Sequence, residues 1–439
     1  MSPAPVRHRS LVPAGMAMMS PEAAQRVRHL ESTLVATLNR WGYQEIIPPI
    51  FEYLDVLGVG LEADAIDKSY TLVDRSSGRM LLLRPDATAQ IARMVAMGLL
   101  GSHVPLRLCY RTTVFRYEQE HAGREREIFQ VGAELIGADS AECDAEILGL
   151  LIDCLTRLRL TGFRISLGHV GFFTALLDKA GLSQEQRKRA EHAAARKDLP
   201  HLEDILSGAG VARRKAKAIL EVPGLYGGQE VLERGAAIAG RDAELRKALA
   251  RLARVYELLN VERRKEHLVL DLGELRGFDY YDGVVFDVFT DGLGCELGGG
   301  GRYDHLIGRF GRNLPSTGFA LDVDRLFRTL DQRRNNQSWS QADVLLAAPG
   351  RLTERLFDVA RLLRDAGLRV VQRSIGESGA RATSDVLEEG VRLMASAVVV
   401  LGVGRMAPDE ALVLTEFAGR KPARRTLKIK DLAPLLHAH

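Results

Sequence analysis

The sequence predicts an α+β protein: an antiparallel sheet with flanking helices, a helical insertion and a small C-terminal α/β domain. Three observations predict this fold class. Two apolar segments enclose a charged turn between residues 110 and 137, residues 172–264 are mostly helical in pattern, and strand and helix patterns alternate after residue 343. Strands joined by a short turn pair antiparallel, whereas strands that alternate with helices form α/β units.

The composition is that of a globular protein without a nucleic-acid signature. The 439 residues are 46% hydrophobic and 27% charged, with a formal net charge of +3. This length allows two or three domains of roughly 150 residues each, and the near-neutral charge does not indicate a nucleic-acid surface. No apolar run approaches the roughly 20 residues that span a bilayer, and the N-terminus lacks the apolar core of a signal peptide.

Cysteine usage indicates a reducing compartment. The four cysteines, Cys109, Cys143, Cys154 and Cys295, include no CxxC pair, which argues against a zinc site. Buried free thiols are the favoured interpretation. We therefore expect a cytoplasmic protein that holds neither a metal nor a cofactor.

The N-terminal part predicts one helix followed by short strands. Apolar residues at helical spacing predict a helix over 21–40, with Ser20 as its N-cap. Residues 46–53 are interrupted by a proline pair and read as an extended segment. Two short strands are predicted over 70–73 and 80–83, on either side of a turn-forming segment.

The first candidate site residue follows the second of these strands. Asp86 lies where the strand ends and a helix opens near Thr88. Pockets of mixed sheets are commonly built at such junctions. Because Asp is also a favoured N-cap residue, a simple helix cap is the alternative interpretation.

The segment 110–137 is the centre of the predicted sheet. Its return strand carries Gln130 and Glu134, which are four residues apart and therefore share a face. Arg116 and Glu118 share a face of the outgoing strand in the same way. Such a hairpin can build a polar pocket in which Arg binds an anion and Glu or Gln binds an amine or imidazole. A charged surface hairpin is the alternative.

The segment 172–264 predicts a separate helical insertion with a solvated, charged surface. Beyond it, a strand is predicted over 267–271 and another over 284–289. Four glycines at 298–301 allow a ligand or a neighbouring backbone to come close, but no GK[ST] follows them as in a Walker loop. Residues 316–326 predict a strand that runs into a helix.

The domain organisation follows from these patterns. Residues 332–341 are polar, lack apolar periodicity and predict a linker. The predicted boundaries are 1–171 and 265–331 for the two parts of the sheet domain, 172–264 for the insertion, 332–342 for the linker and 343–439 for the α/β domain.

Several separated segments together resemble a known family. LRPDATA, FRYEQEHAGREREIFQVGAE, RGFDYY, GGRYD and GFALDVDRL occur in an order and spacing similar to the catalytic domain of histidyl-tRNA synthetase, a class II synthetase. The resemblance covers about residues 20–330 and implies a class II aminoacyl-tRNA synthetase-like antiparallel sheet. The last domain resembles, more weakly, the anticodon-binding domain of the same family.

The resemblance also implies a histidine site. By position, Arg116 matches the motif 2 arginine, Arg276 the arginine of the histidine-specific loop and Arg325 the motif 3 arginine. Asp86 stands where the family has Glu. The implied histidine-binding residues are Asp86, Thr88, Arg116, Gln130, Glu134, Arg276, Tyr280 and Tyr281.

Three departures from the synthetase pattern argue against catalysis. Gln119-Glu120-His121 replaces an Arg-Pro-Gln segment, and Asp322 replaces a small glycine in motif 3. A carboxylate near a triphosphate is repulsive. The predicted helix 383–394 is acidic where the synthetase needs lysines for the tRNA backbone, so we expect no tRNA binding.

The same departures resemble the family of ATP phosphoribosyltransferase regulatory subunits, to which LRPDATAQIAR and ELRGFDYYDG are more similar. This resemblance implies a non-catalytic subunit that joins a short-form catalytic subunit in the first step of histidine biosynthesis. It also implies feedback inhibition by histidine and a dimer at least. The alternatives are a divergent histidyl-tRNA synthetase, a paralogue with another partner, or inherited pocket residues that bind no ligand.

Overall fold

The protein consists of two compact units, residues 1–333 and 334–439. The computed structural model describes residues 12–13, 15–16, 18–101, 103–117, 126–260, 264–274, 280–333, 342–376, 380–403, 406–415 and 423–437. Three sequence predictions fall outside these residues: Arg276, the segment from Glu118 to His121, and nearly all of the 332–342 linker.

The first unit contains twelve helices and twelve strands in its described residues. The helices are α1 Pro21–Arg40, α2 Leu54–Leu57, α3 Ala63–Asp67, α4 Ala87–Ala96, α5 Ala141–Arg157, α6 Val170–Asp178, α7 Gln184–Ala195, α8 Leu199–Gly208, α9 Arg213–Glu221, α10 Glu230–Ala239, α11 Ala243–Asn260 and α12 Val323–Arg333. The strands are β1 Gln44–Glu45, β2 Phe51–Tyr53, β3 Thr71–Val73, β4 Met80–Leu83, β5 Leu106–Phe115, β6 Glu127–Ile136, β7 Phe163–His169, β8 Tyr226–Gly227, β9 Leu268–Asp271, β10 Val284–Thr290, β11 Gly298–Arg302 and β12 Ser316–Asp322.

A nine-stranded sheet organises this unit, in the order β1-β5-β6-β12-β11-β10-β7-β9-β8. The predicted hairpin is confirmed: β5 and β6 pair antiparallel over their full length, from Leu106 opposite Ile136 to Phe115 opposite Glu127. The central strands from β5 to β7 are all antiparallel. The synthetase-like antiparallel sheet expected from the sequence is therefore present.

Local sequence signals account for the flanking elements. Helix α1 begins and ends as predicted, and the Ser20 side chain accepts a hydrogen bond from the Ala23 amide. The small sheet β2-β4-β3 contains both short predicted strands.

No helix among the described residues is long and apolar enough to cross a membrane. The four cysteines are free thiols, and Cys109 and Cys154 are buried.

The glycine run forms a central strand of the sheet and not a loop. A Cβ at Gly298 would lie 2.2 Å from the Ala320 carbonyl oxygen, and one at Gly300 would lie 2.1 Å from that of Gly318. Real Cβ atoms do not approach a backbone so closely, so β11 can lie against β12 only because its first four residues are glycines.

The helices of residues 172–264 share the core of the sheet. Ile219 and Leu252 are fully buried in the same hydrophobic cluster as Leu34 of α1 and Leu167 of β7. The short strand β8 extends the sheet beyond β9. These helices and the sheet thus share one hydrophobic cluster, and the boundaries of a separate insertion over 172–264 stay a prediction.

The second unit is an α/β domain with a five-stranded sheet in the order β14-β13-β15-β16-β17. Its elements are β13 Val344–Pro349, α13 Thr353–Asp365, β14 Val370–Ile375, α14 Ala380–Arg392, β15 Ala397–Leu401, β16 Glu410–Thr415, β17 Ala423–Lys428 and α15 Leu432–His437. The alternation of strands and helices predicted after residue 343 is confirmed, and α14 begins three residues before the predicted helix 383–394. The antiparallel strands β16 and β17 were not predicted.

Candidate functional site

A cavity of about 420 Å³ lies on one face of the nine-stranded sheet. Strands β6, β12, β11 and β10 form its floor, and the residues around Asp86 and Tyr281 form part of its walls. Seven of the eight predicted site residues line it: Asp86, Thr88, Arg116, Gln130, Glu134, Tyr280 and Tyr281. The eighth, Arg276, lies outside the described residues. The structure thus brings together side chains separated by up to 195 positions in the sequence.

A glycine on the neighbouring strand leaves space for the Glu134 side chain. Gln130 and Glu134 point to the same face of β6, as the period of two predicts. Gly318 of β12 lies directly opposite Glu134, and a Cβ at Gly318 would lie 1.7 Å from Glu134 Oε2. A glycine is therefore required for the Glu134 carboxylate to occupy its place.

Glu134 is a buried carboxyl group held by two hydroxyl groups. Its side chain accepts hydrogen bonds from Thr88 Oγ1 at 2.8 Å and from Tyr303 Oη at 2.5 Å, and the residue is 1% exposed. It forms no ion pair in the described part of the chain. Burial raises the pKa of Glu134 to about 8, because the charged form loses its hydration.

Asp86 serves as both a helix cap and a cavity residue, so the two interpretations of its position coincide. Its Oδ1 accepts from the Thr88 amide at 3.1 Å, which caps α4. Its Oδ2 accepts from the Tyr280 hydroxyl at 3.0 Å. The Tyr280 contact joins the start of α4 to the segment that precedes β10.

The far end of the cavity contains the Asp322 carboxylate. Asp322 Oδ1 accepts from Gln130 Nε2 at 2.8 Å, and Oδ2 lies 3.2 Å from Arg325 Nε. Arg325 also donates to Glu296 Oε1 at 2.8 Å. Desolvation raises the pKa of Asp322, while Arg325 and Arg116 oppose the shift. Arg325 is therefore neutralised by two carboxylates.

The cavity lining is predominantly acidic. The carboxylates Asp86, Glu134, Asp287, Glu296 and Asp322 line it, with Glu62 and Asp64. The cations that line it are Lys68 and Arg116, and Arg116 Nε donates to the Pro85 carbonyl at 2.9 Å. This electrostatic balance favours a cationic group and opposes a triphosphate.

Sequence reasoning missed several lining residues, among them Tyr303, Asp287 and Glu296. Tyr303 was visible in the GGRYD motif, but its contact with Glu134 joins β6 to the residue after β11 and has no local signal. Asp287 is a lone charged residue in an apolar strand, VVFDVF, which is a signal for a polar pocket in that face of the sheet.

The raised pKa of Glu134 predicts how the stability of the ligand-free protein depends on pH. The folded state keeps the proton up to about pH 8, whereas an unfolded Glu loses it near 4.5. Glu134 therefore contributes stability that is fully present below about pH 4.5 and is lost as the pH rises toward 8. Over this range, we expect the free energy of unfolding to fall by on the order of 4 kcal/mol relative to the Glu134→Gln variant.

Urea denaturation of both proteins from pH 5 to pH 8.5 measures this difference. A constant difference across that range would contradict the buried, protonated state of Glu134.

The fold is that of histidyl-tRNA synthetases. The family model described as Histidyl-tRNA synthetase matches residues 15–326. The histidyl-tRNA synthetase from Nostoc sp. PCC 7120 superposes with a TM-score of 0.81 over 98% of this chain and 99% of its own, and at 19% identity this likeness concerns the fold alone. A Bacillus halodurans structure described as an ATP phosphoribosyltransferase regulatory subunit/histidyl-tRNA synthetase has a TM-score of 0.75 and 29% identity, over 87% of this chain and 97% of its own. Fold and cavity thus define a histidyl-tRNA synthetase-like protein of class II.

Sequence relatives narrow this class to one family. The ATP phosphoribosyltransferase regulatory subunit of Syntrophotalea carbinolica is 37% identical over 373 residues, which cover 84% of this chain and 87% of the relative. That of Moorella thermoacetica is 40% identical over 377 residues, covering 85% and 95%. The chain belongs to the family of ATP phosphoribosyltransferase regulatory subunits and is a non-catalytic subunit.

Proposed function

We propose that the cavity binds histidine as an effector and that the chain acts in a complex with a short-form ATP phosphoribosyltransferase catalytic subunit. The observation that carries the histidine proposal is the pair of buried carboxyl groups, Glu134 and Asp86, at one end of an acidic cavity. In the described residues their hydrogen-bond donors are hydroxyl and amide groups. A ligand ammonium would supply the cation that this end lacks.

Other residues provide partners for the imidazole and the carboxylate of histidine. Gln130 and Tyr281 would contact the imidazole, and Arg116 or Arg276 would bind the carboxylate. An amino acid with a basic side chain fits this set of groups better than a nucleotide does, because seven carboxyl groups line the space.

Regulation requires a difference in affinity between two states. Histidine inhibits the complex only if it binds the inactive state more tightly than the active one. The family name of the relatives supports the catalytic partner, and we propose that this complex is cytoplasmic. We expect no tRNA binding.

A divergent histidyl-tRNA synthetase is the second candidate function. The observation that favours it is the presence of Arg116 and Arg325 beside the cavity, at the positions of the motif 2 and motif 3 arginines. In such an enzyme these two cations would bind ATP. In this protein Arg325 already forms ion pairs with Asp322 and Glu296.

Two measurements on the purified chain separate these functions. We expect histidine binding by calorimetry, together with no histidine-dependent ATP–pyrophosphate exchange above background. Robust exchange would establish the synthetase and contradict the regulatory proposal, and absence of histidine binding to the chain and to its complex would contradict the histidine site. A catalytically competent histidyl-tRNA synthetase assayed in parallel is the positive control.

We also propose that the chain pairs with a second copy through the apolar surface around the small sheet. Exposed apolar side chains are concentrated there: Ile47, Ile50, Phe51, Leu72, Val73 and Met80. A concentration of exposed apolar side chains commonly marks a protein interface. We expect Phe51→Glu to convert a dimer to a monomer in analytical ultracentrifugation, with at least a tenfold weaker self-association.

Phe357→Glu is the matched control, since Phe357 is 59% exposed and lies on α13 of the second unit. Unchanged self-association of the Phe51 variant would place the dimer interface elsewhere.

A further inference from the structure

Gln130 has an unsatisfied hydrogen-bond acceptor in a side chain that lines the cavity. The residue is 5% exposed. Its Nε2 donates to Asp322 Oδ1 at 2.8 Å, whereas its Oε1 has no hydrogen-bond partner among the described residues. A buried acceptor without a partner is destabilising, so such groups in native proteins require a reason. A ligand that donates a hydrogen bond would satisfy this oxygen.

The orientation of the Gln130 amide is imposed by Asp322. A carboxylate only accepts hydrogen bonds, so it selects the NH₂ end of the amide and leaves the oxygen turned away from it. Asp322 lies directly opposite Gln130 in the β12–β6 register. Asp322 is in turn held by Arg325, which also binds Glu296. The amide therefore cannot turn over without breaking this chain of contacts.

The two polar positions of β6 thus face different partners on β12. Opposite Glu134 stands Gly318, which leaves the carboxyl group its space, and opposite Gln130 stands Asp322, which fixes the amide. Strand β12 therefore sets the surroundings of both side chains: it leaves space for the Glu134 carboxyl group, and it binds the NH₂ end of the Gln130 amide, whose oxygen is left without a partner among the described residues.

We propose that Asp322 is a specificity-determining residue: it positions the Gln130 amide so that its oxygen accepts an N–H group of the ligand. This inference rests on the histidine site proposed above. An imidazole or an ammonium presents such N–H groups, whereas a phosphate presents only acceptors at neutral pH. Asp322 is a positioning residue in this arrangement because it acts on the ligand through Gln130.

A double-mutant cycle on histidine affinity tests this role. The variants are Asp322→Asn, Gln130→Met and the double variant, titrated with L-histidine by calorimetry at pH 8.5. Asn can donate as well as accept, so the Gln130 amide becomes free to turn over. We expect each single substitution to weaken binding about tenfold. The double variant should bind no more weakly than Gln130→Met alone, because Asp322 acts through Gln130.

Asp358→Asn is the control, since it makes the same chemical change at a side chain that is 68% exposed and pairs with Arg361 on α13 of the second unit, and we expect its affinity to stay within about twofold. Losses that multiply in the double variant would overturn the positioning role, as would an unchanged affinity of Asp322→Asn. If Asp322→Asn does not fold, Gln130→Met alone still tests the acceptor, and full affinity in that variant overturns the proposal. Failure of the wild-type chain to bind histidine overturns the proposed site itself, which separates the two inferences.

Discussion

Replacing Glu134 with Gln is expected to weaken histidine binding by about 100-fold. The substitution keeps the size of the side chain but removes the charge that would attract the ligand ammonium. A hydrogen bond to a charged group contributes about 1.5–3 kcal/mol, and the site is fully buried, so little of this is screened by solvent. Calorimetry at pH 8.5 measures the effect, since Glu134 is ionised above its pKa of about 8.

The matched control is Glu296→Gln, the same chemical change at a more exposed position of the cavity wall. The Glu296 side chain is 41% exposed and pairs with Arg325, so we expect no more than about a twofold change in affinity. Wild-type affinity in the Glu134 variant would show that the ligand does not contact this carboxyl group.

The same variant tests the regulatory part of the proposal. In a complex with the catalytic subunit, Glu134→Gln is expected to keep its ability to activate the partner and to lose inhibition by histidine. Retained activation would show that the variant folds and assembles. Histidine inhibition equal to that of the wild type would contradict the assignment of the cavity as the effector site.

Part of the site could be predicted from the sequence because its geometry is local. The period of two in a strand places Gln130 and Glu134 on one face, whatever the rest of the chain does. The strand-to-helix junction likewise places Asp86 beside the helix that opens after it. These residues needed only the correct assignment of the element that carries them.

The remaining site contacts depend on the order of strands in the sheet, which local patterns do not encode. The contact of Tyr303 with Glu134 and that of Asp322 with Gln130 exist because β12 lies between β6 and β11. The sequence marked Asp322 only as a departure from a family pattern. Its role in fixing an amide became visible when the strand register was known.

The fold shows the same division between local and tertiary information. The helix α1 and the hairpin β5–β6 follow from periodicity and turn residues, and both were predicted. Whether the helices of 172–264 would form a separate core depends on which apolar surfaces meet. Amphipathic periodicity predicts a buried face on each helix but not the partner of that face.

Helix α11 of this segment is joined to the sheet by a buried ionic cluster, and breaking it is expected to have a large effect on stability. Arg302 follows the glycines of β11 and is 1% exposed. Its Nε donates to Asp144 Oδ1 of α5 at 2.9 Å, and its Nη1 donates to Asp304 Oδ1 at 2.9 Å. Arg251 of α11 donates to the other oxygen of Asp144 at 2.7 Å. The Asp144 carboxylate of α5 thus links this helix to both β11 and α11.

Arg302→Met is expected to reduce the free energy of unfolding of the first unit by about 3–5 kcal/mol, because it leaves Asp144 with one fewer cation in a buried setting. Urea denaturation followed by circular dichroism measures the change. Arg254→Met is the control on the same helix as Arg251: the Arg254 side chain is 53% exposed, and a surface ion pair contributes at most about 1 kcal/mol.

A second variant separates the cost of an unpaired charge from that of lost packing. Adding Asp144→Leu to Arg302→Met removes the carboxylate that the first substitution left underpaired, but it also leaves Arg251 without this partner. We therefore expect only partial recovery, with about 1–2 kcal/mol regained. Equal unfolding free energies for Arg302→Met and the wild type would mean that the cluster carries no net stability and that apolar packing alone joins α11 to the sheet.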